Sequence, residues 1–272
     1  MIGFPIAKIN LGLRIIAKRP DGYHDIETIF YPVRLCDALE FVISDNPIKK
    51  DFLTTSGINT GADPENNLVI KTVRKLREKY IFPNLKIHLH KVIPVGAGLG
   101  GGSSDSACLL KSINKGFELK ISEEEIKAIS LELGSDCSFF IEGVPAFGSG
   151  RGEILKNVRP VLTGYYLILV NPRVGINTRE AYQNCRPGQP VTSLLKLIDY
   201  PVTEWKGLII NDFEDFAFKY QPRIGEIKNE LYKSGALFSL MSGSGSSVYG
   251  IFGEKPELPE KLKEFVIFED MM

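Results

Sequence analysis

Residues 94–106 read Pro-Val-Gly-Ala-Gly-Leu-Gly-Gly-Gly-Ser-Ser-Asp-Ser, with glycine at 96, 98, 100, 101 and 102. Glycine takes positive φ without strain and puts no Cβ between its amide and a ligand. A strand pattern, Lys86 to Val92, leads into the stretch, and a helical pattern, Ser104 to Phe117, leads out of it. Amides that converge where a helix begins attract anions, and phosphate is the usual guest. The stretch therefore predicts a nucleotide-binding loop. The plainer alternative, a mobile linker, fits poorly, because the apolar helix positions Ala107, Leu109, Leu110 and Ile113 follow so closely.

On the N-terminal side, Ala7 to Ala17 reads as a strand, and Arg19-Pro20-Asp21-Gly22 reads as a turn. Asp37 to Ser44 is a second strand, and Asn67 to Tyr80 is a helix with Leu68, Val69, Val73 and Leu76 on one face. Beyond the loop, Ser122 with Glu125 opens a helix to Leu133 as a capping box, Gly134 ends it, and Cys137 to Ile141 forms the next. The pattern resets at Arg151 to Pro160. Tyr165 to Asn171 is a buried strand, and Thr178 to Asn184, Val191 to Ile198 and Pro222 to Ser234 are helices. Phe238 to Phe252 is hairpin-like around Ser242-Gly243-Ser244-Gly245-Ser246-Ser247. A helix, Leu258 to Phe265, and a strand, Val266 to Glu269, follow. Helices and strands mix without regular alternation, the pattern of an α+β chain in two subdomains.

The 272 residues hold 33 Lys+Arg against 33 Asp+Glu, a formal charge of zero. That argues against a broad nucleic-acid surface, though not against a local basic pocket. Lys8, Asn10 and Arg14 interrupt the first sixteen residues, so neither a secretory signal nor a membrane span is expected. Cys36, Cys108, Cys137 and Cys185 are isolated, which points away from zinc cages and disulfides and towards a reducing cytoplasm. His88 and His90 share one strand face with no third ligand near in sequence, and read as a solvated face.

Gly96-x-Gly98-x-x-Gly101 formally matches a dinucleotide fingerprint, so an NAD-binding oxidoreductase is one alternative. The half-polar strand before it, and Glu118 standing beyond a helix with no strand to close, weigh against that reading. No Walker lysine and no protein-kinase motif occurs. A non-catalytic nucleotide-binding module is a further alternative. Gly243 and Gly245 alone fit a tight turn, and gain meaning only if their loop meets the first one.

Three segments taken together, Ala7-Lys8-Ile9-Asn10-Leu11-Gly12-Leu13, the 94–106 loop and the Ser242–Ser247 loop, resemble the three motifs of the GHMP kinases across essentially the whole chain. Arg19-Pro20-Asp21-Gly22-Tyr23-His24-Asp25-Ile26-Glu27-Thr28, the triple glycine and Gly134-Ser135-Asp136 resemble the branch that phosphorylates a CDP-linked sugar alcohol, CDP-methylerythritol, in the non-mevalonate route to isoprenoids. Two details depart from its usual pattern: Ile6 separates Pro5 from Ala7, and Cys137-Ser138 follows Asp136. Homoserine- and mevalonate-type kinases of the same family are the nearer alternatives.

The resemblance implies a ribosomal protein S5 domain 2-like N-terminal part, 1–157, and a ferredoxin-like C-terminal part, 158–272. It implies ATP and Mg²⁺ as cofactors, a small-molecule acceptor, no nucleic-acid or membrane partner, and a monomer or homodimer. ATP would bind Pro94, Val95, Gly96, Ala97, Gly98, Leu99, Gly100, Gly101, Gly102, Ser103 and Ser104, with Ser103 or Ser104 on the metal. Asn66 to Val69 and Lys91 to Pro94 are candidates for adenine. Asp136 would be the catalytic base with Lys8 beside it; on the residues alone Asp136 reads as a helix N-cap and Lys8 as a charge on an exposed strand face. Tyr23, His24, Thr178 and Tyr182 would hold the cytidine, and Asn10 would contact the substrate near the transferred phosphate. Without the resemblance, Tyr182 reads as core and His24 as a turn residue.

Overall fold

The computed structural model describes residues 1–45, 50–59, 61 and 63–272. In chain order the elements begin with strands β1 (Ile2–Gly3), β2 (Ile6–Lys18), β3 (His24–Cys36), β4 (Ala38–Ile43) and β5 (Phe52–Gly57). Helix α1 (Leu68–Arg77), strand β6 (Leu85–Lys91) and helices α2 (Gly101–Gly116), α3 (Glu123–Leu133) and α4 (Cys137–Glu142) follow. Strands β7 (Ala146–Ser149), β8 (Ile154–Asn157) and β9 (Tyr166–Val170) precede helices α5 (Thr178–Asn184), α6 (Leu194–Leu197), α7 (Glu214–Tyr220) and α8 (Pro222–Lys233). Strands β10 (Phe238–Met241) and β11 (Val248–Phe252), helix α9 (Glu260–Lys263) and strand β12 (Val266–Met271) complete the chain. Among the described residues no helix is long and apolar enough to cross a membrane.

The chain forms two compact units that interleave in sequence: 1–8, 32–95 and 100–144 in the first, and 9–31, 96–99 and 145–272 in the second. In the first unit, four strands run in the order β1-β4-β6-β5. β4 is antiparallel to β6, pairing Leu39 with Leu89 and Phe41 with Ile87, while β5 is parallel to it. The alternation Leu-Lys-Ile-His-Leu-His-Lys decides the faces of β6, because successive strand side chains point to opposite sides. Leu85, Ile87 and Leu89 are buried with Val69, Val73 and Leu76 of α1, Leu109, Leu110 and Ile113 of α2, and Ile126 and Ile129 of α3. On the other face His88 bonds the Thr54 and Ser56 hydroxyls, 2.9 Å each, and His90 bonds Ser56, a polar network typical of a solvated sheet face.

Local chemistry sets the helix starts. Asn67 accepts the Val69 N–H at 2.9 Å and Ser122 accepts that of Glu125 at 3.2 Å, each an N-cap bond. Helix α2 begins at Gly101, three residues before the pattern predicts, since glycines carry no apolar signal to count.

The second unit holds the sheet β10-β11-β9-β12, its four strands successively antiparallel. Leu167 to Val170 of β9 are fully buried, and Ile224, Ile227 and Leu231 of α8 face the same core as Ile168 and Val170. A further sheet, β2-β3-β7-β8, belongs largely to this unit. The helix expected over Val191 to Ile198 is confined to Leu194–Leu197, because its start is set at Ser193, whose hydroxyl accepts the Leu195 N–H, and by Glu27, whose carboxylate accepts the Leu194 N–H at 2.6 Å. The helix expected over Leu258 to Phe265 is likewise shorter, Glu260–Lys263. Strands β3, β5, β7 and β8 and helix α7 were not legible as elements.

Candidate active site

In the first unit, Lys8 stands near the start of β2, 3% exposed, with its Nζ 3.6 Å from Asp136 Oδ2. The Asp136 side chain keeps about a third of its surface exposed, at 35%. Asp136 occupies the residue before α4, where a cap would stand, yet its carboxylate makes no capping bond. The carboxylate is turned to an ammonium instead of to its own helix. Burial pulls the Lys8 ammonium below the ordinary lysine value, and Asp136 pulls it partly back. The result is a buried cation beside a reachable carboxylate.

Gly100 precedes α2 at φ 71°, and no side chain caps the helix. A Cβ at Gly100 would stand 2.8 Å from the Phe140 ring and 3.2 Å from Lys8 Cγ. Only glycine brings this backbone so close to Lys8 in a left-handed conformation. The uncapped first turn leaves amides of Gly101 to Ser103 without intrahelical acceptors, and the helix dipole adds positive character there. Gly102 is exposed, Ser103 half-buried and Ser104 buried. Of the two hydroxyls proposed for the metal, Ser103 is the more accessible. Among the described residues no cluster of three or more His, Cys, Asp or Glu side chains suits a metal ion. This donor set fits an oxygen-seeking ion that keeps its waters and the nucleotide's own oxygens.

Sequence reasoning missed a second group in this unit. Lys91, at the end of β6, donates to Asp37 and, at 2.8 Å, to Asp105 of α2; all three are buried. Asp37 also accepts the N–H groups of Val92, at 2.6 Å, and Ile93, at 2.8 Å. Burial raises the Asp105 carboxyl to about 7 against the pull of Lys91. The triad thus anchors the chain just before the loop to the helix just after it. Its only signal in the sequence is a lysine and an aspartate at positions otherwise suited to apolar residues. Of the adenine candidates, Asn67 is spent on the α1 cap and Lys91 on this triad, while Leu68 Cδ1 lies 3.7 Å from where a Gly102 Cβ would stand.

In the second unit, residues 96–99 of the loop meet the Ser242–Ser247 loop. Ser242 Oγ donates to the Gly98 carbonyl at 2.8 Å, and the Ser247 N–H donates to the Ala97 carbonyl at 3.2 Å. At φ 77° a Cβ on Gly98 would fall 1.9 Å from the Ser242 carbonyl oxygen. The two glycine segments therefore pack backbone to backbone. Asn10 joins them: its N–H donates to Ser242 Oγ at 3.2 Å, and its carbonyl accepts from Tyr249 at 2.9 Å.

The aromatic candidates cluster in the same unit. His24 stacks on Tyr182 at 4.9 Å between centroids and 21° between planes, and Tyr182 meets Phe213 edge-on at 4.9 Å. Burial, then the charge of Lys18, lowers the His24 pKa, so the ring is neutral at pH 7. Tyr23 is exposed, with the Arg151 guanidinium 4.8 Å over its ring. Thr178 and Tyr182 are one turn apart on α5, and the Thr178 hydroxyl bonds that of Ser244 at 2.9 Å. Pro94 is half-buried and Val95 exposed, at the entry to the loop.

The strand arrangement bears on the dinucleotide alternative. β6, which feeds the loop, lies between an antiparallel and a parallel neighbour, not inside the parallel sheet of a dinucleotide fold.

Residues 67–144 match the GHMP kinases N terminal domain, and residues 203–269 the GHMP kinases C terminal family. The chain is 50% identical over 260 residues to the 4-diphosphocytidyl-2-C-methyl-D-erythritol kinase of Bacteroides thetaiotaomicron, covering 96% of this chain and 95% of the relative. It is 50% identical over 270 residues to the protein of the same name from Parabacteroides distasonis, covering 99% and 97%. Among solved structures, a 4-(cytidine 5'-diphospho)-2C-methyl-D-erythritol kinase is 29% identical, with a TM-score of 0.76 over 98% of this chain and 96% of the other. A mevalonate kinase structure, at 15% identity, TM-score 0.68 and coverage of 97% and 94%, shares the fold.

Proposed function

Because the chain belongs to the GHMP kinases, we propose that it transfers the γ-phosphoryl group of ATP to the 2-hydroxyl of 4-diphosphocytidyl-2-C-methyl-D-erythritol, a step of the non-mevalonate route to isoprenoid precursors. The observation that carries the chemistry is the Lys8–Asp136 pair at 3.6 Å, next to a helix that opens on glycine. The substrate is that of relatives matching nearly the whole chain at half identity.

Phosphoryl transfer asks a protein mainly to position reactants and stabilise charge. The amides of 96–104 take the ATP phosphates, and the first turn of α2 adds its dipole. Asp136 accepts the proton of the attacking hydroxyl as the new O–P bond forms. Lys8, already buried and held by Asp136, is preorganised against the negative charge that develops on the acceptor oxygen and transferred group. Ser103 or Ser104 would give one hydroxyl to a magnesium ion brought by the nucleotide, whose charge would offset that of the phosphates.

His24 and Tyr182 recognise the cytosine, the neutral imidazole by hydrogen bonding at the base edge and the tyrosine by stacking, with Tyr23 and Thr178 completing the nucleoside site. Asn10 contacts the polyol. We place the functional domains at 1–157 and 158–272, and the enzyme, a monomer or homodimer, in the cytoplasm, where four thiols that form no disulfide stay reduced.

The test is ADP release by purified protein with Mg²⁺ and ATP, offering the CDP-linked polyol, homoserine, mevalonate and galactose in parallel. Turnover of the CDP compound alone, lost in Asp136→Asn, is the expected result. Turnover of another acceptor instead overturns the cytidine assignment, and no turnover of any overturns the kinase reading.

A further inference from the structure

Asn211, at the turn into α7, lies outside every motif singled out in the sequence, yet its side-chain amide is engaged at both ends. Its Nδ2 donates to the carbonyls of Met241 and Gly243, 2.8 Å each, and its Oδ1 accepts the Phe213 N–H at 3.0 Å. Carbonyls only accept and a backbone N–H only donates, so the amide can sit only one way round. Asn211 is 3% exposed, so these bonds form out of bulk water. The two ends hold different things. On the donor side, Gly243 belongs to the second glycine loop: a Cβ there would fall 3.1 Å from Gly98 Cα, and Ser242 bonds the Gly98 carbonyl at 2.8 Å. On the acceptor side, Phe213 meets Tyr182 edge-on at 4.9 Å between centroids, and Tyr182 stacks on His24.

We propose that Asn211 is a positioning residue with two separate tasks: its amide nitrogen sets the second glycine loop against the ATP loop at Gly98, and its amide oxygen sets the Phe213, Tyr182 and His24 rings for the cytidine. This rests on the function proposed above. Asn211 itself touches neither substrate in this scheme. Because the donor and acceptor ends act on different sites, a side chain that keeps one end should damage only one site. Serine keeps an oxygen that accepts the N–H two residues on, as in an ST-turn, but it cannot span both carbonyls.

The experiment is calorimetric titration of Asn211→Ala and Asn211→Ser with the CDP-linked polyol in the absence of ATP and, separately, with a non-hydrolysable ATP analogue and Mg²⁺. Thermal melts check folding. Asn211→Ala should weaken both ligands about tenfold, since buried groups are left unpaired at both ends. Asn211→Ser should weaken the ATP analogue by about the same factor and hold the polyol within about threefold of wild type. The proton NMR resonance of the His24 ring, which senses the Tyr182 ring current, gives a readout without ligand. The chain has three histidines, and His24→Gln assigns the resonance. It should move in Asn211→Ala and stay in place in Asn211→Ser. A merely structural asparagine would lower the melting temperature without this split. Should Asn211→Ala fail to fold, Phe213→Leu replaces it for the ring arm and should weaken the polyol alone. Equal damage to polyol binding from Ala and Ser, unchanged affinity for the ATP analogue in both, or an unmoved His24 resonance in Asn211→Ala overturns the proposal. A wild-type protein that binds no CDP-linked polyol overturns the function instead, so the two failures are distinct.

Discussion

At the scale of single residues, burial sets the charge of the proposed site. Lys8 loses solvation on burial and stands 3.6 Å from the Asp136 carboxylate, the pair on which the proposed transfer rests. Tyr182, which we propose stacks on the cytosine, is fixed on two sides, stacked on His24 and edge-on to Phe213. Aromatic pairs of this kind are worth about 0.5–1.5 kcal/mol beyond their burial. Tyr182→Ala should therefore raise KM for the CDP-linked polyol about tenfold, and Tyr182→Phe should leave it near wild type. KM for ATP should stay constant in both; a parallel change in the two KM values would place the ring outside the nucleoside site. Lys8, Asn10, His24 and Asp136 were singled out in the sequence because the family resemblance names them. By its spacing alone Asp136 reads as a cap, and only its contact with Lys8 shows that the carboxylate serves something else. Thr28 lay inside a quoted motif, yet nothing in its neighbours in sequence tells that its partners are Asn10 and Gly12.

At the scale of elements, the glycine-rich loop depends on what holds its ends. Lys91 ends β6, Asp37 opens the way into β4, and Asp105 lies in the second turn of α2; the three meet in the core of the first unit. Removing one partner of a buried ion group leaves charge without compensation, at a cost of about 3–5 kcal/mol. Lys91→Met, close in length but neutral, should lower unfolding stability by about that amount at pH 7, read by denaturant titration. It should also weaken binding of an ATP analogue, because the Asp37 bonds to Val92 and Ile93 and the start of α2 loosen together. A loss below about 1 kcal/mol would show that the triad is not what anchors the loop. The strand–loop–helix around this triad was readable from periodicity, whereas the triad was not, since charged residues in a buried position break the very pattern used to read it. β3 escaped for a related reason: Pro32 and the polar run His24-Asp25 obscure a thirteen-residue strand.

At the scale of the whole molecule, the function is assembled from residues far apart in the chain. Asn10 and Ser242 bond across 232 positions, a pairing for which periodicity offers no evidence. The two glycine loops were each recognisable, and their meeting at Gly98 and Ser242 sets the second apart from an isolated hairpin turn. Global stability carries a further signature of such long-range construction. Glu214 of α7 is buried, receives Lys228 of α8 at 2.6 Å and accepts the Met241 N–H of β10 at 2.9 Å. Burial nevertheless outweighs these partners and raises its pKa above the ordinary 4.5. A carboxyl raised on folding binds its proton more tightly in the native state. Its stabilising share is complete below pH 4.5 and is lost as pH rises through the native value. Measured by denaturant unfolding from pH 4 upward, the stability of wild type relative to Glu214→Gln should fall with rising pH and level off once the native carboxyl has ionised. A relative stability that rises over that range would mean that Lys228 and the Met241 amide, not burial, govern the Glu214 carboxylate.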